Sequence, residues 1–309
     1  MARKLRVEYE GAIYHVMNRG DRREPIFRDE RDRLSFLETL GQACEKTDWQ
    51  VHAWCLMLNH FHLVVETPKP NLVVGMKWFL GTYTSRFNRR HNLTGHLFSG
   101  RYKALMVEGS GNGYLRTVCD YVHLNPVRAK LLKDEQRLRD YRWSSYGEYL
   151  KKPGKRVKWL RVDRVLGEMG IPRDSAAGRR EFERIMELRR WEGQPEQWKV
   201  VRRGWCLGGK EFRKELLAQM VEKAQGDSHY GEELRESAEE KAERIVEQEL
   251  KRLRWREEEL ARRRKGDLKK VQIARRLRSE TTMTLKWIAQ RLKMGTWTHV
   301  SNRLYHVKT

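Results

Sequence analysis

Between residues 12 and 107 the chain alternates β-prone runs with helical stretches, and their order restricts the fold more than any other feature. Ala12–Met17, Val51–Leu58, His60–Glu66 and Lys103–Val107 are short apolar runs that read as strands. Arg31–Lys46 and Leu72–Arg90 carry apolar residues at helical spacing. Strand, helix, two strands, helix, strand predicts an α+β fold with an antiparallel sheet and helices packed on one face. In the second helix Leu72, Met76, Phe79, Leu80, Tyr83 and Phe87 form a packing stripe. Trp78, Ser85 and Arg89 fall opposite it. A Trp beside an Arg there suits either the stacking of an unpaired base or a second packing contact.

From about residue 178 the composition turns helical and heavily charged. Glu232–Arg264 has sparse apolar positions at helical spacing: Leu234, Ala238, Ala242, Ile245, Leu253 and Leu260. A long solvated helix is the favoured reading, and a helix-pairing seam the alternative. Near the end, Ile273 and Leu277 sit four apart, and Leu285, Ile288, Ala289 and Leu292 mark an amphipathic helix. Gly295 breaks it, and Val300 with Leu304 begins another, as in a helix-turn-helix with a slightly long turn. Its second helix offers Thr298, His299, Ser301, Asn302 and Arg303 to phosphates or base edges. A helical hairpin that merely closes the chain fits the same pattern. The chain thus divides into residues 1–150, a charged helical connector at 151–265, and a terminal unit at 266–309.

Charge points to the partner. Among 309 residues, 65 Lys and Arg outnumber 42 acidic residues, giving a formal net charge of +23. Such a field attracts polyanions, nucleic acid first, although membrane surfaces are also anionic. No apolar run is long enough for a transmembrane helix, and Met1–Arg6 is basic without an apolar segment behind it, so neither a membrane span nor a signal peptide is expected. That predicts a cytoplasmic protein without a membrane partner. Cys44, Cys55, Cys119 and Cys206 are scattered without a CxxC pair, which suits buried reduced thiols.

The sharpest local signal is Asn59-His60-Phe61-His62-Leu63-Val64-Val65. In a strand His60 and His62 share a face, about 7 Å apart along the backbone, while Phe61, Leu63 and Val65 point into a core. Two such imidazoles can converge on one divalent cation, although alone such a pair more often marks surface or hydrogen-bonded histidines. A second constellation strengthens the first. Tyr121 and Asn125 are four residues apart, hence neighbours on a helix face if 113–124 is helical. Asn125 can then offer its amide oxygen to the metal, one turn from Tyr121. Pro126 places Asn125 at the helix end. A core aromatic followed by a plain helix stop is the other reading.

Five blocks together resemble a known family. They are Tyr14 to Gly20, Met57 to Val64, Gly100 to Ala104, Tyr121 to Ala129, and Trp143 to Tyr146. In that order they are similar to the single-tyrosine HUH transposases (histidine, hydrophobe, histidine) of small insertion sequences, closest to the REP-associated tyrosine transposase branch. The resemblance covers about residues 8–150 and is silent on the rest. It implies a ferredoxin-like sheet, a metal on His60 and His62, Asn125 as a further ligand, and Tyr121 as nucleophile. Tyr102, between Arg101 and Lys103, is the best rival nucleophile; Tyr114 has only Val118 four residues on.

The implied reaction is cleavage and rejoining of single-stranded DNA, at hairpin-forming repeats, through a 5′-phosphotyrosine. A nitrogen and oxygen ligand set suits Mg²⁺ or Mn²⁺. Arg19, Arg22, Arg23, Arg101, Lys103, Arg128 and Lys130 flank the site as phosphate contacts, and the terminal unit would add duplex contacts. Relatives often act as homodimers, an assembly on which composition is silent. Two rivals remain: a sequence-specific DNA-binding regulator that does not cut, and a replication-initiator or relaxase-like HUH nickase.

Overall fold

The structure, a computed structural model, describes residues 7–192, 196–225 and 230–306. Met1–Arg6, where no signal peptide was expected, lie outside them, as do the side chains of Leu234 and Ala238.

The strand and helix runs fold in the expected order: β1 (Ala12–Arg19), α1 (Glu30–Thr47), β2 (Gln50–Leu56), β3 (His60–Thr67), α2 (Leu72–His91) and β4 (Lys103–Val107). The four strands pair antiparallel in the spatial order β2-β3-β1-β4. Asp29 caps α1 by accepting from the Asp32 amide at 3.0 Å, and Asp48 ends it in the left-handed region. Phe36 of α1 and Phe79 of α2 lie 4.8 Å apart, centroid to centroid, and Phe36 is 5.0 Å from Phe61 of β3. The odd-numbered face of β3 is therefore the one that both helices cover, which leaves His60 and His62 on the other.

That second face is covered as well. α3 (Tyr114–His123) packs against it, and β2 and β3 are buried on both sides. The two helices expected on one face are there, and α3 adds a layer on the opposite face. The near-continuous apolar run from Val51 to Leu58 is the physical reason, since a strand exposed on one side would alternate. A two-residue strand, β5 (Cys206–Leu207), pairs parallel with β4 through Met106 and Val107 and makes the sheet mixed. It is too short to leave a period in the sequence.

Two apolar cores follow. One runs from Val7 to Leu216 and includes Phe182, Met186, Trp198 and Val201 from helices beyond residue 150. The other joins Ala242, Ile245, Val246 and Leu250 of the helix Tyr230–Leu253 to residues between Leu260 and Val300. The favoured reading of a solvated helix is thus corrected. Val246 and Leu250 complete a stripe with Ala242 and Ile245, and it packs on the helix Leu268–Glu280. That helix, Leu285–Arg291 and Trp297–His306 share this second core, the last two joined by the turn 292–296, in which Gly295 has φ 86°.

Lys46 ties the cores together. Its ammonium donates to the carbonyls of Arg278, Ser279 and Thr281 at the end of the helix Leu268–Glu280, and it lies 4.9 Å from the Trp78 ring centroid. A lysine that satisfies orphan carbonyls at a helix C-terminus also complements the helix dipole. The four cysteines are buried and unpaired. Among the described residues no helix is long and apolar enough to cross a membrane.

Candidate active site

Ladder register assembles the site. His62 of β3 stands opposite Met17 of β1, so His15, two residues before Met17, shares its face. His15 Nε2 and His62 Nδ1 are 2.9 Å apart, and their rings stack at 5.1 Å between centroids. The His60 ring is 5.1 Å from that of His62, and its Nδ1 donates to Asn59 Oδ1 at 2.8 Å. Both HUH histidines are therefore bonded through Nδ1, which leaves each Nε2 as the coordinating atom.

Burial keeps these imidazoles neutral. It lowers His15 to about 4, and together with the charge of Arg19 it lowers His60 to about 4. His62 is held well below the ordinary value by burial first, then by His15, His60, Arg128 and Arg19. A neutral imidazole is the form that binds a metal.

Tyr121 comes down on the pair from α3. Its ring meets His15 and His62 edge-on, with centroids 5.7 and 5.8 Å apart. α3 ends at His123, and a separate turn, α4 (Asn125–Arg128), begins after Leu124 with Pro126 in its first positions. Asn125 thus lies beyond the helix end, as Pro126 requires. It is buried, and its Nδ2 has no hydrogen-bond partner among the described residues. The donor set suits a divalent cation: an Nε2 on each of His60 and His62, with the side-chain oxygen of Asn125 as a neutral ligand. Among the described residues no three His, Cys, Asp or Glu side chains gather to hold a metal. A cation here would therefore need the amide or an oxygen of DNA as its further ligand.

The remaining residues divide by exposure. Arg19 stands opposite His60 in the ladder and is exposed, as are Arg22, Arg23, Arg89, Arg101, Lys103 and Lys130. Asn59 donates to the Arg23 carbonyl at 3.0 Å and so fixes the arginine turn beside the histidines. Trp78 is half-buried beneath the Lys46 ammonium, which favours the second of its two readings, a packing contact. Thr298, Asn302 and Arg303 are exposed on the last helix, with His299 and Ser301 half-buried. Tyr102 is buried just before β4, and the ring contacts to the histidines belong to Tyr121.

The residues that sequence reasoning missed are His15, Trp198 and the ion pair of Asp120 with Arg189. Period-two alternation along β1 could have put His15 on the histidine face; nothing local marks Trp198. Its ring lies 5.7 Å from that of Tyr121, on the helix Gln197–Arg203. Arg189 pairs with Asp120, whose carboxyl burial pushes up to about 7, and so pins α3 next to Tyr121.

The family model for IS200-like transposases matches residues 8–125, the segment from β1 through α3 that holds all three histidines, Tyr121 and Asn125. Over this segment, less than half of the chain, the sequence is similar to the IS200-like transposases. The matched segment ends on Asn125. A solved structure of a REP-associated tyrosine transposase bound to a REP hairpin is similar over 52% of this chain and 91% of that one, at 14% identity and a TM-score of 0.41. No curated protein matches the sequence.

Proposed function

We propose that the chain is a metal-dependent single-stranded DNA endonuclease and strand transferase that acts through Tyr121. The observation that carries this reading is the edge contact of one tyrosine ring with the neutral His15–His62 pair. Mg²⁺ or Mn²⁺ held by His60, His62 and Asn125 would supply charge neutralisation at the scissile phosphate. His15 holds the ring of His62 in place through its Nδ1, and Asn59 does the same for His60. Arg19, Arg22, Arg23, Arg101, Lys103 and Lys130 are the outer phosphate contacts. Tyr121 Oη forms the bond to phosphorus and the 3′-oxygen leaves, so the phosphoester energy is kept for rejoining.

The substrate is single-stranded DNA at hairpin-forming repeats, and the proposed assembly is a homodimer. Both rest on the family resemblance. The three-part division of the chain at about residues 150 and 265 is likewise proposed. In it the last helix adds duplex contacts through Thr298, His299, Ser301, Asn302 and Arg303, and the two helices around residues 292–296 act as a helix-turn-helix.

The test is incubation of labelled hairpin strands from the gene's own flanks with Mn²⁺, followed by a denaturing gel. A covalent protein–DNA band is expected. Tight binding without any band would instead identify a DNA-binding regulator.

Removal of the terminal unit separates targeting from chemistry. The first core closes by Leu216, so a chain cut after residue 225 retains it. That chain should lose about tenfold or more in duplex affinity and show a flatter salt dependence, because cationic contacts are gone. Adduct formation on a short single strand at saturation should persist. Titrations at two salt concentrations read the first effect, and unchanged duplex affinity would give the unit a structural role.

A further inference from the structure

Arg128 is half-buried and packs against two aromatic rings. It leaves α4 just after Pro126, and its guanidinium carbon lies 4.1 Å from the Tyr121 ring centroid and 5.2 Å from that of Trp198. The two rings meet edge to face, at 86°. Among the described residues no carboxylate pairs with Arg128, whereas Arg90 has Asp29 and Asp32, and Arg189 has Asp120. Its Nε and Nη1 are buried and have no hydrogen-bond partner.

A buried donor edge without an acceptor is costly, and in native proteins such an edge calls for an explanation. Aromatic rings on the face of a guanidinium satisfy its packing and leave the in-plane N–H groups for another partner. A planar fork of donors matches the two non-bridging oxygens of a phosphodiester. That fork lies against the side chain proposed to attack phosphorus.

We infer that Arg128 is a catalytic residue that grips the scissile phosphate beside Tyr121, and that Trp198 is the positioning residue that holds Arg128 there. The inference rests on the nucleophile reading for its chemistry. Tyr121 Oη forms the bond to phosphorus, and the bond from phosphorus to O3′ breaks. The phenolic proton passes to solvent, the leaving O3′ takes one up, and nothing is oxidised or reduced. Arg128 offers two N–H donors to the non-bridging oxygens, whose negative charge grows as the fifth bond forms. Because Trp198 lies well beyond residue 125, the site extends past the family segment.

The first experiment needs no cleavage. A short oligothymidine with a 5′-phosphate and the same strand with a 5′-hydroxyl are titrated by calorimetry in EDTA. The parent chain is expected to prefer the phosphorylated strand about tenfold, as one charge-assisted fork would give. Arg128→Ala should erase that preference. A parent chain without preference, or an Arg128→Ala chain that keeps it, overturns the inference.

The second experiment is single-turnover adduct formation. Arg128→Ala should lower the rate about a hundredfold, in the range of losing one transition-state donor, with strand affinity changed far less. Arg128→Lys should fall between the two, and added guanidinium should restore part of the alanine variant's rate. Trp198→Ala should lower the rate, and Trp198→Phe should recover it, which a merely structural role for Arg128 would not produce. An Arg128→Ala rate within threefold of the parent overturns the assignment. If the parent gives no adduct with any strand, the nucleophile reading fails, and the 5′-phosphate comparison still decides whether Arg128 holds phosphate.

Discussion

Tyr121→Phe is expected to abolish the covalent protein–DNA band, a loss of at least about a thousandfold, while strand affinity stays within about threefold of the parent. The substitution removes one oxygen. The ring contacts to His15, His62 and Trp198, and the guanidinium of Arg128 over the ring face, are contacts of carbon atoms that phenylalanine keeps. The histidine pair and the arginine therefore stay in place, and the loss is one of chemistry. Affinity is measured by fluorescence anisotropy and adduct formation by denaturing gel, on the same strand. The decisive comparison is with Tyr102→Phe. If that variant loses the band and Tyr121→Phe keeps it, the nucleophile lies before β4 and the reading of α3 fails.

Much of this site could be read in advance because it is local. His60 and His62 are two apart on one strand, and a strand fixes which face they share. Tyr121 and Asn125 are four apart, and Pro126 announces the break between α3 and α4. His15 was within reach of the same alternation argument, but its role depends on the pairing of β1 with β3, which sequence spacing does not state. Trp198 was out of reach. It is brought to Tyr121 by the close of a core that runs to Leu216, and a tryptophan in a charged helical region carries no mark of its destination. For Trp78 the outward face was legible and left two readings open, but not the arrival of Lys46 with the end of the helix Leu268–Glu280.

Metal chemistry gives the second large effect, and it separates the ligands from their supports. His62→Ala and chelation by EDTA should each eliminate the adduct, and His60→Ala should reduce it at least about a hundredfold, because each removes charge neutralisation at the phosphate. Asn125→Ala should be milder, since water can replace a neutral oxygen ligand. His15 supplies the sharper test. It lies 2.9 Å from His62 Nδ1 and so acts on the cation only through that ring. His15→Ala should therefore raise the Mn²⁺ concentration needed for half-maximal adduct formation by about 10- to 100-fold, the usual cost of removing such a support, and saturating Mn²⁺ should restore the rate. A ligand variant cannot be rescued this way, because the coordinating nitrogen itself is gone. If Mn²⁺ rescues His62→Ala as readily as His15→Ala, the two histidines are equivalent and His62 is no ligand. If the parent is fully active in excess EDTA, the histidines are not metal ligands in the reaction, and catalysis by Tyr121 must draw its positive charge from arginine alone.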